Sequence, residues 1–427
     1  MLKGVIATIA LGLALNMGAG SCVASSGLPP PDHVAFTGTK GINIHGWLTW
    51  TEQTSPSSYR MPVFAHAKGR LDDREIAGLK KAGFTFVRLT VDPGVFVLLS
   101  GSARDDALRS LTDAIDRLRA GGLSVIVDMH PVRAVFPFGA AQGGGQHAYE
   151  KGPQSPFAQR YATAIAWLAG QLDRRYATTR QIAFELMNEP DLRCGDPLWT
   201  TQVIQLHKAV RAAAPRVALV LNGACWDGID GLIALDPAAI GDDNVLYTFH
   251  FYESHDFTHG GLNGGASPSD RALSALGGLP YPGDARPRAQ VLDEIATTAQ
   301  QWGSNVKADA LDRAQRYLGG DWDRARIEVR MGLVANWAAA HSIAPSRILL
   351  GEFGVNGRRG AISGQRDDDR LRWLSDVREA AEARGFRWAL WQYRGNGLND
   401  AFELETSPHG PLSGGMLQAL RLGAAQQ

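Results

Sequence analysis

The sequence has no surplus of charge: Lys plus Arg and Asp plus Glu each number 43 in 427 residues, so the net charge is zero. That balance argues against nucleic acid or an anionic membrane surface as the main partner. Cysteine is scarce, with Cys22, Cys194 and Cys225 the whole complement. Beyond Leu15 no apolar run is long enough to cross a bilayer. No Gly-rich phosphate loop follows an early strand, which argues against an open doubly wound sheet. No His-x-His pair follows the first strand, which argues against a metal-dependent barrel hydrolase. There is no internal sequence repeat and no disordered linker to a second module.

What is present begins with an apolar N-terminus. Lys3 precedes Gly4–Leu15, an apolar stretch too short for a membrane span, and small residues follow through Ser21, Cys22, Val23 and Ala24. This is the pattern of an export signal over residues 1–24, and it predicts a periplasmic or extracellular protein. A cut before Cys22 is the alternative, because Ala19-Gly20-Ser21-Cys22 loosely resembles a lipobox, with Ala19 where Leu is usual. Cys22 would then carry a lipid anchor. Residues 25–39 read as a linker. Export leaves Cys194 and Cys225 as the one pair in an oxidising compartment, each just past a predicted strand end. Neighbouring loops on one barrel face would bring them within bridging distance, so a disulfide is expected. Two buried free thiols are the alternative.

From Lys40 onward, short apolar runs alternate with longer amphipathic ones. The strand candidates are Gly41–Trp47, Phe84–Val91, Ser124–His130, Ile182–Asn188, Val217–Gly223, Val245–Tyr252, Arg347–Phe353 and Arg387–Tyr393. Most are nearly continuous in apolar residues, as parallel strands covered on both faces must be. Helical periodicity lies between them, for example Leu108, Leu111, Ile115 and Leu118 within Ala107–Ala120. Strand then helix, eight times over, predicts one (β/α)8 barrel spanning residues 40–427. Residues 253–322 break the rhythm as a long insertion after strand six, expected to be a subdomain folded over the barrel mouth, with a peripheral decoration that takes no part in binding as the alternative.

Reactive side chains gather where a barrel enzyme needs them, at the C-terminal strand ends. Arg88 ends strand two, Asp128 and His130 strand three, and Asn188-Glu189-Pro190 strand four. His250 and Tyr252 end strand six, Gly351-Glu352-Phe353-Gly354 strand seven, and Trp391 lies on strand eight. Such groups are costly among apolar runs unless they serve one another or a ligand. Asn188 and Glu189 are adjacent, so a regular strand would aim them oppositely; both face a ligand only if the chain bends there. Two glutamates with Arg, His, Tyr and Asn between them suit glycosidic cleavage. One carboxyl gives its proton to the leaving oxygen and the other attacks the anomeric carbon.

At these residues the sequence resembles glycoside hydrolase family 5, the family of many cellulases. Phe-Glu-Leu-Met-Asn188-Glu189-Pro190 resembles the family's acid/base segment, and Leu-Leu-Gly-Glu352-Phe-Gly its nucleophile segment. The resemblance implies Glu189 as acid/base and Glu352 as nucleophile in a retaining mechanism. Arg88 and Tyr252 would hydrogen-bond Glu352, and His250 would sit by Glu189. Asn188 would hold the sugar 2-OH and His130 would contact the same sugar. Trp391 would offer a stacking platform, with a cis peptide to Gln392.

Trp47 and Trp226 follow strand ends and are candidate sugar platforms; Trp302 and Trp322 read as core of the insertion. His255 and His259 have a helical metal spacing, but Gly260 and Gly261 follow at once, so no metal or other cofactor is expected. The expected substrate is a β-linked polysaccharide or oligosaccharide, cut by an endo-β-1,4-glucanase of the cellulase kind. A β-mannanase, a β-1,3-glucanase and an exopolysaccharide-processing hydrolase are alternatives on the same site. A non-catalytic carbohydrate-binding barrel is the alternative of a different class. Oligomeric state is not read from the sequence.

Overall fold

The computed structural model describes residues 34–55, 58–65, 67–131, 152–262, 265–359, 362–395 and 401–423. The expected export signal, Cys22 and residues 25–33 of the expected linker lie outside them. Eight strands close into a parallel barrel: β1 Lys40–Leu48, β2 Phe86–Val91, β3 Ser124–Met129, β4 Ile182–Glu185, β5 Ala218–Asn222, β6 Val245–Phe251, β7 Ile348–Phe353 and β8 Arg387–Leu390. Each pairs with its chain neighbours, and β8 closes on β1 through Lys40 opposite Trp388. The structure thus has the (β/α)8 barrel predicted from the alternation.

Eight helices follow the strands in turn: α1 Asp73–Ala82, α2 Gly101–Ala120, α3 Pro156–Tyr176, α4 Pro197–Ala213, α5 Ile229–Ile233, α6 Arg324–Ala340, α7 Asp367–Ala383 and α8 Gly414–Ala419. Their ends carry local stop and start signals. Asp72 caps α1 in a reciprocal box with Glu75, and Gly83, at φ 106°, ends it in a left-handed turn that favours glycine. The face of α2 that meets the barrel is Ala107, Leu111, Ala114, Ile115 and Leu118, a helical stripe. Each leucine or isoleucine so buried contributes about 1.5–3 kcal/mol of transfer free energy.

Two cores result. The larger lies between strands and helices. The smaller fills the barrel floor with Phe86, Ile126, Ala183, Ala218, Leu246, Leu349 and Ala389, plugged from below by Val34 and Phe36. Residues 34–36 are therefore not linker. Their alternation puts two apolar side chains under the barrel, where Phe36 meets Phe86 edge-on at 5.6 Å.

Between β6 and α6 the chain forms four short or medium helices, His255–Thr258, Pro268–Ser274, Arg288–Ala299 and Ser304–Leu318. They share the larger core: Phe257 packs on Tyr317, Tyr281 and, on α7, Trp373. Tyr281 donates its hydroxyl to Asp376 of α7.

Candidate active site

Strand parity loads the barrel in layers. On β2, Phe86 lies in the floor core, and two residues on Arg88 faces the same interior. The same step leads from Ile126 to Asp128 and from Ala183 to Glu185. A polar layer therefore sits directly above the apolar floor.

Glu352 would miss this layer in a regular strand, because Leu349 points into the barrel and position 352 has the opposite parity. Strand β7 solves this with one extra residue. Pairing with β6 runs from Phe249 opposite Leu350 to His250 opposite Glu352, and pairing with β8 shifts at the same place. The residue passed over is Gly351. A Cβ there would lie 2.5 Å from Thr248 Oγ1, so glycine is the residue that fits. Glu189 reaches the site differently. Strand β4 stops at Glu185, and Glu189 adopts φ 47°, a left-handed turn that lets both Asn188 and Glu189 serve the same opening.

Arg88 is the hub of the polar layer and is fully buried. It forms a bidentate pair with Glu185 at 2.7 and 2.8 Å, and donates to Asn43 at 3.0 Å, Asn188 at 2.8 Å and Glu352 at 2.7 Å. Asp128 lies 3.2 Å away. Tyr252 donates its hydroxyl to the other oxygen of Glu352 at 3.0 Å. Burial pushes the Glu352 carboxyl up, while His250 and Arg88 pull it down. The two donated hydrogen bonds favour the ionised form. Burial also raises Asp128 to about 7 against the pull of Arg88.

Around Glu189 the chemistry differs. Its carboxyl is partly exposed and 2.9 Å from His250 Nδ1. Burial lowers His250 to about 4, so the ring is neutral near pH 7. Behind both lies Asp227, completely buried. Its Oδ1 accepts from Asn222 Nδ2 at 2.6 Å and its Oδ2 from the Glu189 backbone N–H at 3.0 Å. Its carbonyl accepts the His250 backbone N–H at 2.7 Å. A carboxylate oxygen of Glu189, one of Glu352 and a ring nitrogen of His250 all lie within 4.8 Å of one another.

The cleft above these groups has a volume of about 650 Å³ and is lined by His130, Glu189, Trp226, His250, Tyr252, Glu352 and Trp391, among others. His130 stacks on Trp391 at 5.7 Å and bonds Asp128 through Nδ1 at 2.8 Å. The Trp391–Gln392 peptide is cis. Trp226 is 43% exposed over the cleft.

Trp47 does not join it. Gly46, at φ 79°, and a register shift between Ile44 and Leu48 turn the strand, so Trp47 is buried in the outer core beneath Arg117. The exposed tryptophan after β1 is Trp50, whose indole N–H donates to His45, and His45 touches both Trp391 and His130. Sequence reading passed over Asn43, His45, Trp50, Glu185 and Asp227. Glu185 and Asn43 carry a usable signal, a polar residue on the interior parity of an apolar strand. Asp227 carries none, because it stands in a loop.

That loop is fixed by unusual backbone. Cys225, Trp226 and Asp227 all have positive φ, at 70°, 56° and 57°. Cys225 is disulfide-bonded to Cys194, its N–H bonds Leu192, and the Trp226 N–H bonds Pro190. The loops after β4 and β5 are thus zipped together beside Glu189. Replacing both cysteines with alanine, which opens a 31-residue separation, should lower unfolding free energy by about 2–4 kcal/mol. Denaturant titration checks this; an unchanged midpoint would show that the bridge contributes nothing.

Among the described residues three acid–histidine groups have the spacing of a metal site. Two share His250; there Glu185 and Glu352 already accept from Arg88, Glu352 also from Tyr252, Asp227 from the Glu189 N–H, and Glu189 lies against His250 itself. In the third, Asp72 caps α1 and Glu75 pairs with Arg394 and His409. His255 and His259 stack at 4.1 Å, and burial chiefly lowers the pKa of both rings.

Comparisons with known proteins identify the family and the fold. The family model described as cellulase, glycosyl hydrolase family 5, matches residues 57–397. Endoglucanase 3 of Fibrobacter succinogenes is 23% identical over 90% of this chain, which spans about half, 53%, of that relative. Endoglucanase C of Acetivibrio thermocellus is 25% identical over 83% of this chain and 90% of its own. Among solved structures, endoglucanase Cel5A from the hyperthermophilic Thermotoga maritima has a TM-score of 0.61 at 18% identity, covering 90% of this chain and 96% of that one. The cellulose synthase subunit Z of Clostridioides difficile has a TM-score of 0.60 at 20% identity, covering 90% and 99%. With the match running from before α1 to beyond β8, over most of the chain, the chain belongs to glycoside hydrolase family 5, the cellulase family.

Proposed function

We propose that this protein is a retaining, endo-acting β-glucanase of the β-1,4 kind, with Glu189 as acid/base and Glu352 as nucleophile. The observation that carries the reading is the approach of the two carboxylates, with an oxygen of each within 4.8 Å. Retaining glycosidases hold their carboxyls about 5–5.5 Å apart, whereas inverting ones leave about 6.5–9.5 Å for a water. Arg88 and Tyr252 orient an ionised Glu352 for attack. Asn188, held by Arg88 through its oxygen, keeps its amide nitrogen for the sugar 2-OH. His130 and Trp391 offer one stacked wall.

Endo action is supported by where the exposed tryptophans stand. Trp50 follows β1 and Trp226 follows β5, opposite positions in an eight-membered ring. A chain laid from one to the other crosses between β4 and β7, where the two glutamates are. The residues after β6 are read as an insertion whose first part, Glu253, His255 and His259, lines the cleft. We also infer export, which the bond between Cys194 and Cys225 supports, since disulfides persist in oxidising compartments.

The test is a panel of defined gluco- and manno-oligosaccharides with products followed by NMR. The expected result is internal cutting of β-1,4-glucans with the β-anomer formed first. Initial appearance of the α-anomer would overturn the mechanism, and activity confined to mannans the substrate. Trp50→Ala and Trp226→Ala should each raise KM by about tenfold with kcat nearly kept; unchanged KM in both would remove the two-sided cleft.

A further inference from the structure

We propose that Asp227 is a positioning residue that fixes the His250 tautomer and the left-handed backbone of Glu189, and thereby keeps a proton on Glu189 in the resting enzyme. This rests on the reading of Glu189 as acid/base. His250 Nε2 is buried without a hydrogen-bond partner, and the carboxylate oxygen Asp227 Oδ2 lies 3.6 Å from it. A proton on Nε2 directed at that oxygen leaves Nδ1 as a lone pair. At 2.9 Å from Glu189, that lone pair is satisfied only by a protonated carboxyl. The same Oδ2 accepts the Glu189 N–H at φ 47°, so one oxygen sets both the ring and the turn.

Asparagine cannot replace this. Both Asp227 oxygens already accept N–H bonds, and the amide nitrogen of asparagine would face a donor at one of them. Burial, with Glu189 and Glu185 nearby, pushes the Asp227 carboxyl up; the Glu189 N–H and Arg88 oppose this. The other titratable groups around the pair are Glu352 on β7, Asp128 and His130 on β3, and Tyr252 beyond β6.

The experiment compares D227N with wild type on cellotetraose and on a dinitrophenyl cellobioside, whose leaving group needs little proton help. On cellotetraose, kcat/KM should fall by about tenfold or more, and on the aryl substrate by less than about threefold. The alkaline limb of the cellotetraose profile should move to lower pH by about one unit. Equal losses on both substrates, or an unmoved limb, would overturn the proposal. Should D227N fail to fold, ¹⁵N imidazole shifts of wild-type His250 decide: protonated Nε2 is expected, and protonated Nδ1 overturns it. Azide rescue of E189A tests the acid/base assignment separately. If azide rescues E189A while D227N loses equally on both substrates, only the role of Asp227 falls.

Discussion

Glu352→Gln is expected to abolish turnover of cello-oligosaccharides, lowering kcat by at least about 10⁴-fold. An amide cannot form the glycosyl ester that a retaining mechanism requires. The fold should survive, because glutamine keeps the shape and its oxygen still accepts from Arg88, now 2.7 Å from Glu352. The Tyr252 hydroxyl, now a donor at 3.0 Å, can turn and accept from the new NH2. Burial already disfavours charge at this position, so the loss of charge should cost little stability. Steady-state kinetics beside thermal unfolding read both effects. Near-normal activity in a folded variant would disprove the nucleophile assignment, and the two-carboxylate mechanism with it.

Glu189→Ala should give the second largest effect, and a patterned one. On natural oligosaccharides kcat/KM should fall by about 10²–10⁴-fold, the usual contribution of a general acid. On a dinitrophenyl glycoside the first step needs no acid, so kcat/KM should be nearly preserved. The second step still lacks its base, so kcat should drop and a burst of dinitrophenol should precede slow turnover. Azide should restore the rate and leave a β-glycosyl azide. Because His250 and Asp227 remain in place behind the missing side chain, loss of fold should not confuse the result. An equal loss on activated and natural substrates would count against the role.

The barrel was legible because parallel strands buried on both faces read as apolar runs, and Leu111, Ile115 and Leu118 repeat at helical spacing between two of them. The site was legible where polar residues interrupt such runs, as Arg88, Asp128 and His250 do. It was less legible where backbone departs from regularity. Trp47 reads as a platform until Gly46 turns the strand and hands that place to Trp50. Glu352 has the wrong parity until Gly351 is passed over. Asp227 reaches its neighbours through three successive left-handed residues, a conformation that side-chain pattern does not encode. The buried part of 34–39 was hidden by its short length, since two apolar residues give too little periodicity to distinguish a plug from a tether.

The crowd of acids around one guanidinium has a consequence for what can enter. Asp128, Glu185 and Glu352 are buried and ion-paired to Arg88, Asp227 is buried close by, and Glu189 stands at the edge. A sugar bearing a uronate, sulfate or pyruvyl group would bring further negative charge to a floor already short of cations. Uncharged glucan meets no such repulsion. If the proposed site is right, acidic decoration at the scissile position is expected to lower kcat/KM relative to plain glucan.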